Sequence, residues 1–100
     1  MLLGYLILYV PDVERAVAFY EQAFGLARRF VHESGDYAEL ETGATVLAFA
    51  ADELAASNFT AAYRPADPSA PPAACEVALV TDDVAAAVER ATEAGAAVLA

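Results

Sequence analysis

Few residues of this sequence have side chains that could do chemistry, and most of them stand alone. The 100-residue chain has one histidine, His32, and one cysteine, Cys75. Tyr5 and Tyr9 lie four residues apart in an apolar run, and Glu76 begins a second apolar run. Phenols and a carboxylate that face one cavity could anchor a cation or a hydroxyl group. In a dry cavity the carboxylate could also act as a general base.

The composition excludes several classes of protein. Five arginines against 15 acidic residues give a net charge of −10, so there is no basic stripe to neutralise nucleic-acid phosphates. The hydrophobic fraction is 59% because 26 residues are alanine, and the longest apolar run is about half the ~20 residues that a membrane span needs. We therefore expect a single-domain cytoplasmic protein without a nucleic-acid or membrane partner. The lone Cys75 is expected to be a small buried hydrophobe.

Hydrophobic periodicity predicts the elements that must position these side chains. Alternation predicts a strand over 3–10, which is followed by Asp12 as a helix cap and by an amphipathic helix that Gly25 ends. Strand-like runs separated by turn signals predict two antiparallel hairpins. These runs are 27–33, 36–41 and 44–50. Residues 1–50 therefore form a predicted β-α-β-β-β unit.

The second half repeats the opening pattern after a linker. Residues 51–74 contain four prolines and are predicted to be a stiffened linker, with at most one helical turn near its start. Asp83 lies 71 positions after Asp12, and the apolar helical positions that follow superpose at the same offset. We predict a second unit over 75–100 that begins β-α-β: a strand at 75–81, a helix that Gly95 ends, and a strand from 96. This second unit is incomplete in this chain.

Two stretches of the sequence match a known family. YVPDVERAVAFYEQAFGL and VALVTDDVAAAVERATEAGA make the chain resemble the glyoxalase / bleomycin-resistance / extradiol-dioxygenase superfamily, also called vicinal oxygen chelate proteins. The resemblance implies an α+β fold in which paired βαβββ modules form a curved mixed sheet with a concave pocket. It also implies that modules pair within a chain or across a homodimer, which we expect here. Such motifs indicate the fold but not the reaction.

The resemblance also implies which residues face the pocket and which pack under the helices. Leu6, Leu8 and Val10 are expected under the first helix, with Leu47 and Phe49. Val77 and Leu79 are expected under the second helix. The predicted ligand-binding residues are those on the opposite face of the strands: Tyr5, Ile7, Tyr9, Ala48, Glu76 and Ala78.

The family's metal ligands are poorly matched at the corresponding positions. Where relatives place histidine or glutamine, glutamate and histidine, this chain has Tyr5, Ala48 and Glu76. Neutral tyrosine is a weak ligand and alanine is none. We therefore predict no metal and no other cofactor. Glu76 is expected either to be exposed or bonded to Tyr5, or to anchor a ligand or act as a base.

Three functions remain open from the sequence. The preferred one is binding of a small aromatic or cationic molecule in a half-barrel pocket, with any reaction unassigned. The second is a metal-dependent lyase, similar to lactoylglutathione lyase, or a dioxygenase, either of which would need a divalent metal. The third is a dimer-forming module with a degenerate pocket. His32 is expected at the surface, and at most one of the adjacent Arg28 and Arg29 is expected to reach the pocket. Phe59, Tyr63 and Arg64 of the linker could form a lid over the pocket or a dimer contact, or the aromatic residues could only fix the loop.

Overall fold

A mixed four-stranded sheet forms the centre of the protein. The computed structural model describes residues 1–99. Its elements, in chain order, are β1 (Tyr5–Val10), α1 (Val13–Phe24), β2 (Ala27–Val31), β3 (Tyr37–Glu41), β4 (Val46–Ala51), α2 (Asp52–Asn58) and α3 (Val84–Glu93). The strand order is β1-β4-β3-β2, with β1 parallel to β4 and the other pairs antiparallel. The predicted α+β fold and both hairpins are confirmed.

Helix α1 begins and ends at the residues that the sequence indicates. The Asp12 carboxylate accepts a 3.1 Å hydrogen bond from the backbone N–H of Arg15, which satisfies one of the free donors of the first turn. Gly25 ends the helix with φ of 68°, a left-handed conformation that costs glycine little. Val13 and Val17 project from this helix onto the sheet and are buried.

The core lies between α1 and one face of the sheet. Its buried members are Val13, Val17, Ala38, Leu40, Leu47 and Phe49, with Leu6, Leu8, Val10 and Tyr20 packed against them. The prediction for Leu6, Leu8, Val10, Leu47 and Phe49 is therefore confirmed. Because side chains alternate along a strand, the intervening residues project from the opposite face. Within residues 1–99, no helix covers the whole of that face, which we call the open face.

Helix α3 repeats the start of α1 in atomic detail. The Asp83 carboxylate accepts a 3.0 Å hydrogen bond from the backbone N–H of Ala86, as Asp12 does from Arg15. Arg90 joins the two helices, since its Nε donates a 2.8 Å hydrogen bond to the carbonyl oxygen of Gln22 near the end of α1. A cation at this end also interacts favourably with the helix dipole.

The two strands predicted for the second half of the chain are not formed. Residues 75–81 and 96–99 have no strand structure, because neither segment pairs with a neighbouring strand in residues 1–99. Without a sheet below α3, Val84 is 67% exposed, Val88 is 45% exposed and Leu79 is 44% exposed. Cys75, expected to be buried, is exposed for the same reason. Ala100, the end of the second predicted strand, lies outside the described residues.

The linker contains more helix than its first residues suggest. Helix α2 spans seven residues and buries Ala55 beside the sheet. Beyond it, residues 59–74 have no helix or strand. None of the helices in residues 1–99 is long and apolar enough to cross a membrane.

Candidate functional site

The open face carries an aromatic and aliphatic surface with one carboxylate near its middle. The register aligns Ile7 with Ala48, Ala48 with Glu39, and Glu39 with Phe30. These four residues therefore form a row across all four strands. The next row contains Tyr9, Ala50 and Tyr37. Tyr5 lies on the same face, one row away from Ile7 on the other side.

Four of the six predicted ligand-binding residues share this face. Tyr5 is 55% exposed and Ile7 is 40% exposed, whereas Ala48 is fully buried and forms the floor between the outer strands. Tyr9 is half-buried. Phe30, 41% exposed, adds an aromatic ring that the sequence did not assign to this face.

The other two predicted residues do not join this face. Glu76 and Ala78 lie in the extended segment 75–81 and are exposed. Glu76 makes no hydrogen bond or ion pair within residues 1–99, so the anticipated bond to Tyr5 is not formed. The carboxylate that the structure brings to the open face is instead that of Glu39.

Glu39 is a carboxylate that is almost completely buried within the open face. It is 8% exposed, and its Oε2 accepts a 2.8 Å hydrogen bond from the Tyr37 hydroxyl. Its Oε1 accepts no hydrogen bond within the described chain, and Nη1 of Arg29 lies 3.6 Å away. A buried carboxylate is costly unless cations or donors compensate it, so an oxygen with only a distant cation is an available acceptor.

Two adjacent arginines point to opposite faces of the sheet, as predicted. The register of β2 shifts between Arg28 and Phe30, so an extra residue is accommodated there as a β-bulge. Arg28 lies on the helix side and bonds Glu14 and Glu21 of α1 at 2.7 and 2.9 Å. Arg29 lies on the open face, where it reaches Glu39.

Tyr37 is held as a neutral hydrogen-bond donor. Burial, followed by the hydrogen bond to Glu39, raises the pKa of Tyr37 to about 12. The negative charge of Glu39 and the neighbouring Tyr5 contribute to this increase, and the positive charge of Arg29 opposes it. At neutral pH the phenol therefore keeps its proton and donates a hydrogen bond to the carboxylate.

Aromatic residues of the linker pack at the Tyr9 end of the open face. The rings of Phe59 and Tyr63 lie 6.0 and 5.7 Å from that of Tyr9, in edge-to-face geometry. The Tyr63 hydroxyl donates a hydrogen bond to Asp52, and burial followed by this bond raises the pKa of Tyr63 to about 12. The linker thus borders the face at this end and is fixed there.

His32 belongs to a surface turn, as predicted. Its Nδ1 lies 2.7 Å from the Ser34 hydroxyl oxygen, and that hydroxyl donates to the carboxylate of Asp36. Serine therefore lies between the histidine and the aspartate, whereas an activated serine needs the histidine in the middle. All three residues serve the turn between β2 and β3.

The residues at the family's metal-ligand positions do not fit a metal ion. Tyr5 and Ala48 share the open face but offer one phenol and no second donor, and Glu76 lies outside the sheet. Within residues 1–99, no three His, Cys, Asp or Glu side chains come close enough to hold a metal ion.

The sequence did not lead us to assign Glu39 to the site, although the alternation of residues along β3 indicates the face on which it lies. Alternation along β3 separates Ala38 and Leu40, both buried in the core, from Tyr37, Glu39 and Glu41. This pattern indicates that the polar residues share one face. The bulge at Arg29 has no comparable signature in the sequence, so the pairing of Arg29 with Glu39 had to come from the structure.

Comparisons with known proteins agree with this fold. The model of the Glyoxalase/Bleomycin resistance protein/Dioxygenase superfamily matches residues 2–100. A glyoxalase/bleomycin resistance protein/dioxygenase from Nocardioides is 23% identical with a TM-score of 0.69, over 95% of this chain and 62% of its own. This chain thus spans less than two thirds of that protein's length.

Two further solved structures are similar. TioX from Micromonospora sp. ML1 is 19% identical with a TM-score of 0.59, over 96% of this chain and 74% of its own. An integron cassette protein from the mobile metagenome of V. cholerae is also 19% identical, with a TM-score of 0.64, over 100% of this chain and 72% of its own. At these identities the likeness concerns the fold. No curated protein gives a significant match.

Proposed function

Because the chain belongs to the glyoxalase/bleomycin resistance protein/dioxygenase superfamily, we propose that it binds a small aromatic cation on the open face of its sheet, without a metal ion. The observation that carries this proposal is the position of Glu39, an almost buried carboxylate with a free acceptor oxygen, among the exposed side chains of Tyr5, Ile7 and Phe30. These side chains offer a surface for an apolar ring.

The chemistry of this face favours a cationic ligand over a neutral one. A hydrogen bond to a charged group contributes about 1.5–3 kcal/mol, more than a neutral hydrogen bond. An ammonium group over an aromatic ring adds about 0.5–2 kcal/mol. The net charge of −10 also attracts cations to the protein at low ionic strength.

The proposal is tested with protein that has been treated with a chelator and dialysed. Benzylammonium and benzyl alcohol have the same ring and differ in charge, so their affinities compare a cation with a neutral analogue. We expect saturable binding of benzylammonium that is at least about tenfold tighter than that of the alcohol. Equal affinities would contradict the proposal. Metal analysis of protein purified without chelator provides the second arm, because a stoichiometric transition metal would favour the lyase or dioxygenase alternative.

A further inference from the structure

We infer that Arg29 is the counterion of Glu39 in the ligand-free protein, and that the ammonium group of a bound ligand displaces Arg29 from Glu39 onto Glu41. This inference rests on the proposed function and identifies the residue that sets its specificity. The ligand class is a primary or secondary ammonium attached to an aromatic ring. The N–H groups of such a ligand would bond the free Oε1 of Glu39.

The two oxygens of Glu39 have different surroundings. Oε2 is occupied by the 2.8 Å hydrogen bond from Tyr37, which holds the carboxylate in place. Oε1 has the Arg29 guanidinium at 3.6 Å, beyond hydrogen-bond distance. The anchor is therefore oriented in advance, and only its weakly occupied oxygen has to change partner when a ligand binds.

Arg28, the neighbour of Arg29 in β2, is held more firmly than Arg29. Arg28 makes two hydrogen bonds, at 2.7 Å to Glu14 and 2.9 Å to Glu21. Arg29 makes neither of its contacts so closely, since its Nε is 3.8 Å from Oε1 of Glu41 and its side chain is 46% exposed. The contact of Arg29 with Glu39 is also too long for a hydrogen bond, so the guanidinium gives up no hydrogen bond when it leaves this carboxylate.

Glu41 gives the displaced arginine a second partner on the same strand. Glu41 is exposed, two residues from Glu39, and already faces Arg29. The guanidinium can therefore leave Glu39 without becoming an isolated charge. The ligand's ring would then lie against Phe30, which is next to Glu39 in the same row, with Ile7 two strands away beyond Ala48.

If Arg29 is displaced by the ligand, substitutions of Arg29 and Glu39 should change the affinity for benzylammonium in opposite directions. Arg29→Gln removes the competing cation and is expected to tighten benzylammonium binding about two- to fivefold. Glu39→Gln removes the anchor and is expected to weaken it at least about tenfold. Arg29→Lys keeps the positive charge, and Glu89→Gln, at an exposed position of α3, is a charge-matched control for Glu39→Gln. Both are expected to stay within about twofold of the wild-type protein.

The experiment is a titration of the full chain and these four variants with benzylammonium, benzyl alcohol and benzoate, after circular dichroism and thermal unfolding have established that each variant folds. Unchanged or weaker benzylammonium binding by Arg29→Gln would overturn the inference while leaving the proposed function intact. Preferential binding of benzoate that Arg29→Gln abolishes would overturn it in favour of an anion site. If neither the wild-type protein nor Arg29→Gln binds benzylammonium, the proposed function and the inference both fail.

Discussion

The hydroxyl of Tyr37 donates a 2.8 Å hydrogen bond to Oε2 of Glu39, two residues further along the same strand. Residues at this spacing point to the same face, so a phenol and a carboxylate of β3 can meet without help from another element. The contact fixes an almost buried carboxylate on the open face, which also carries Arg29 and Glu41. Within residues 1–99, the other oxygen of Glu39 accepts no hydrogen bond.

Replacing Tyr37 with Phe should change how stability depends on alkaline pH. The folded-state pKa of Tyr37 is raised from 10.0 to about 12, so the folded protein keeps a proton that the unfolded chain loses. The corresponding stabilisation is complete below pH 10 and is lost as the pH rises towards 12. Urea unfolding across this range should therefore show a shallower loss of stability in Tyr37→Phe. Identical slopes in the two proteins would contradict the assignment.

Gly25 and Arg90 should be energetically coupled. A Cβ at Gly25 would lie 2.7 Å from Nη1 of Arg90, and its φ of 68° is unfavourable for other residues. Gly25→Ala is expected to cost about 1–2 kcal/mol for the backbone conformation alone, with an added cost for moving Arg90. In an Arg90→Ala background only the backbone cost should remain. A double-mutant cycle by urea unfolding measures the difference, and strictly additive costs would contradict the contact.

The internal repeat offers a matched pair of valines. Val17 is fully buried between α1 and the sheet, whereas Val88, 71 positions later, is 45% exposed. Val17→Ala should destabilise the protein by about 2 kcal/mol from lost burial and cavity formation, and Val88→Ala by less than about 0.5 kcal/mol. Equilibrium unfolding of both variants provides the test. An equal loss at Val88 would mean that this face is covered in solution, as the predicted homodimer would allow.

The position of linker residues 59–64 should depend more on ring packing against Tyr9 than on the hydrogen bond between Tyr63 and Asp52. Aromatic pairs contribute about 0.5–1.5 kcal/mol beyond their buried area, and Tyr9 contacts both Phe59 and Tyr63. Limited proteolysis within residues 59–64 should therefore be faster in Tyr9→Ala than in Tyr63→Phe, which keeps the ring. The reverse order would indicate that the hydrogen bond to Asp52 fixes the segment.

The first half of the fold was predictable because local signals agree with one another there. Asp12 and Gly25 mark both ends of α1, and alternation assigns Leu6 and Leu8 to the core. The helix cap at Asp83 was predictable for the same reason. The absence of a strand over 75–81 was not predictable, because a strand depends on a pairing partner that its own residues do not encode.

The site was predictable only in part, because its residues come from four strands, and the sequence indicates the register of some of these strands better than that of others. Tyr5 and Ile7 follow from alternation within β1, and Ala48 from the apolar pattern of β4. Arg29 lies on the open face by alternation with Arg28, whereas Phe30 joins this face because a bulge inserts a residue into β2. Glu76 was assigned through the repeat, and the segment that carries it lies outside the sheet.

The most direct test of a cation site at Glu39 is to locate the ligand by NMR. Isotope-labelled wild-type protein is titrated with benzylammonium, and the shifts of backbone and aromatic signals are mapped onto the sequence. Binding at the open face predicts the largest changes at Phe30, Glu39 and Ile7, with Tyr5 next to them. Changes centred instead on Phe19 and Tyr20, which line a depression on the opposite side of the protein, or no saturable changes at all, would contradict it.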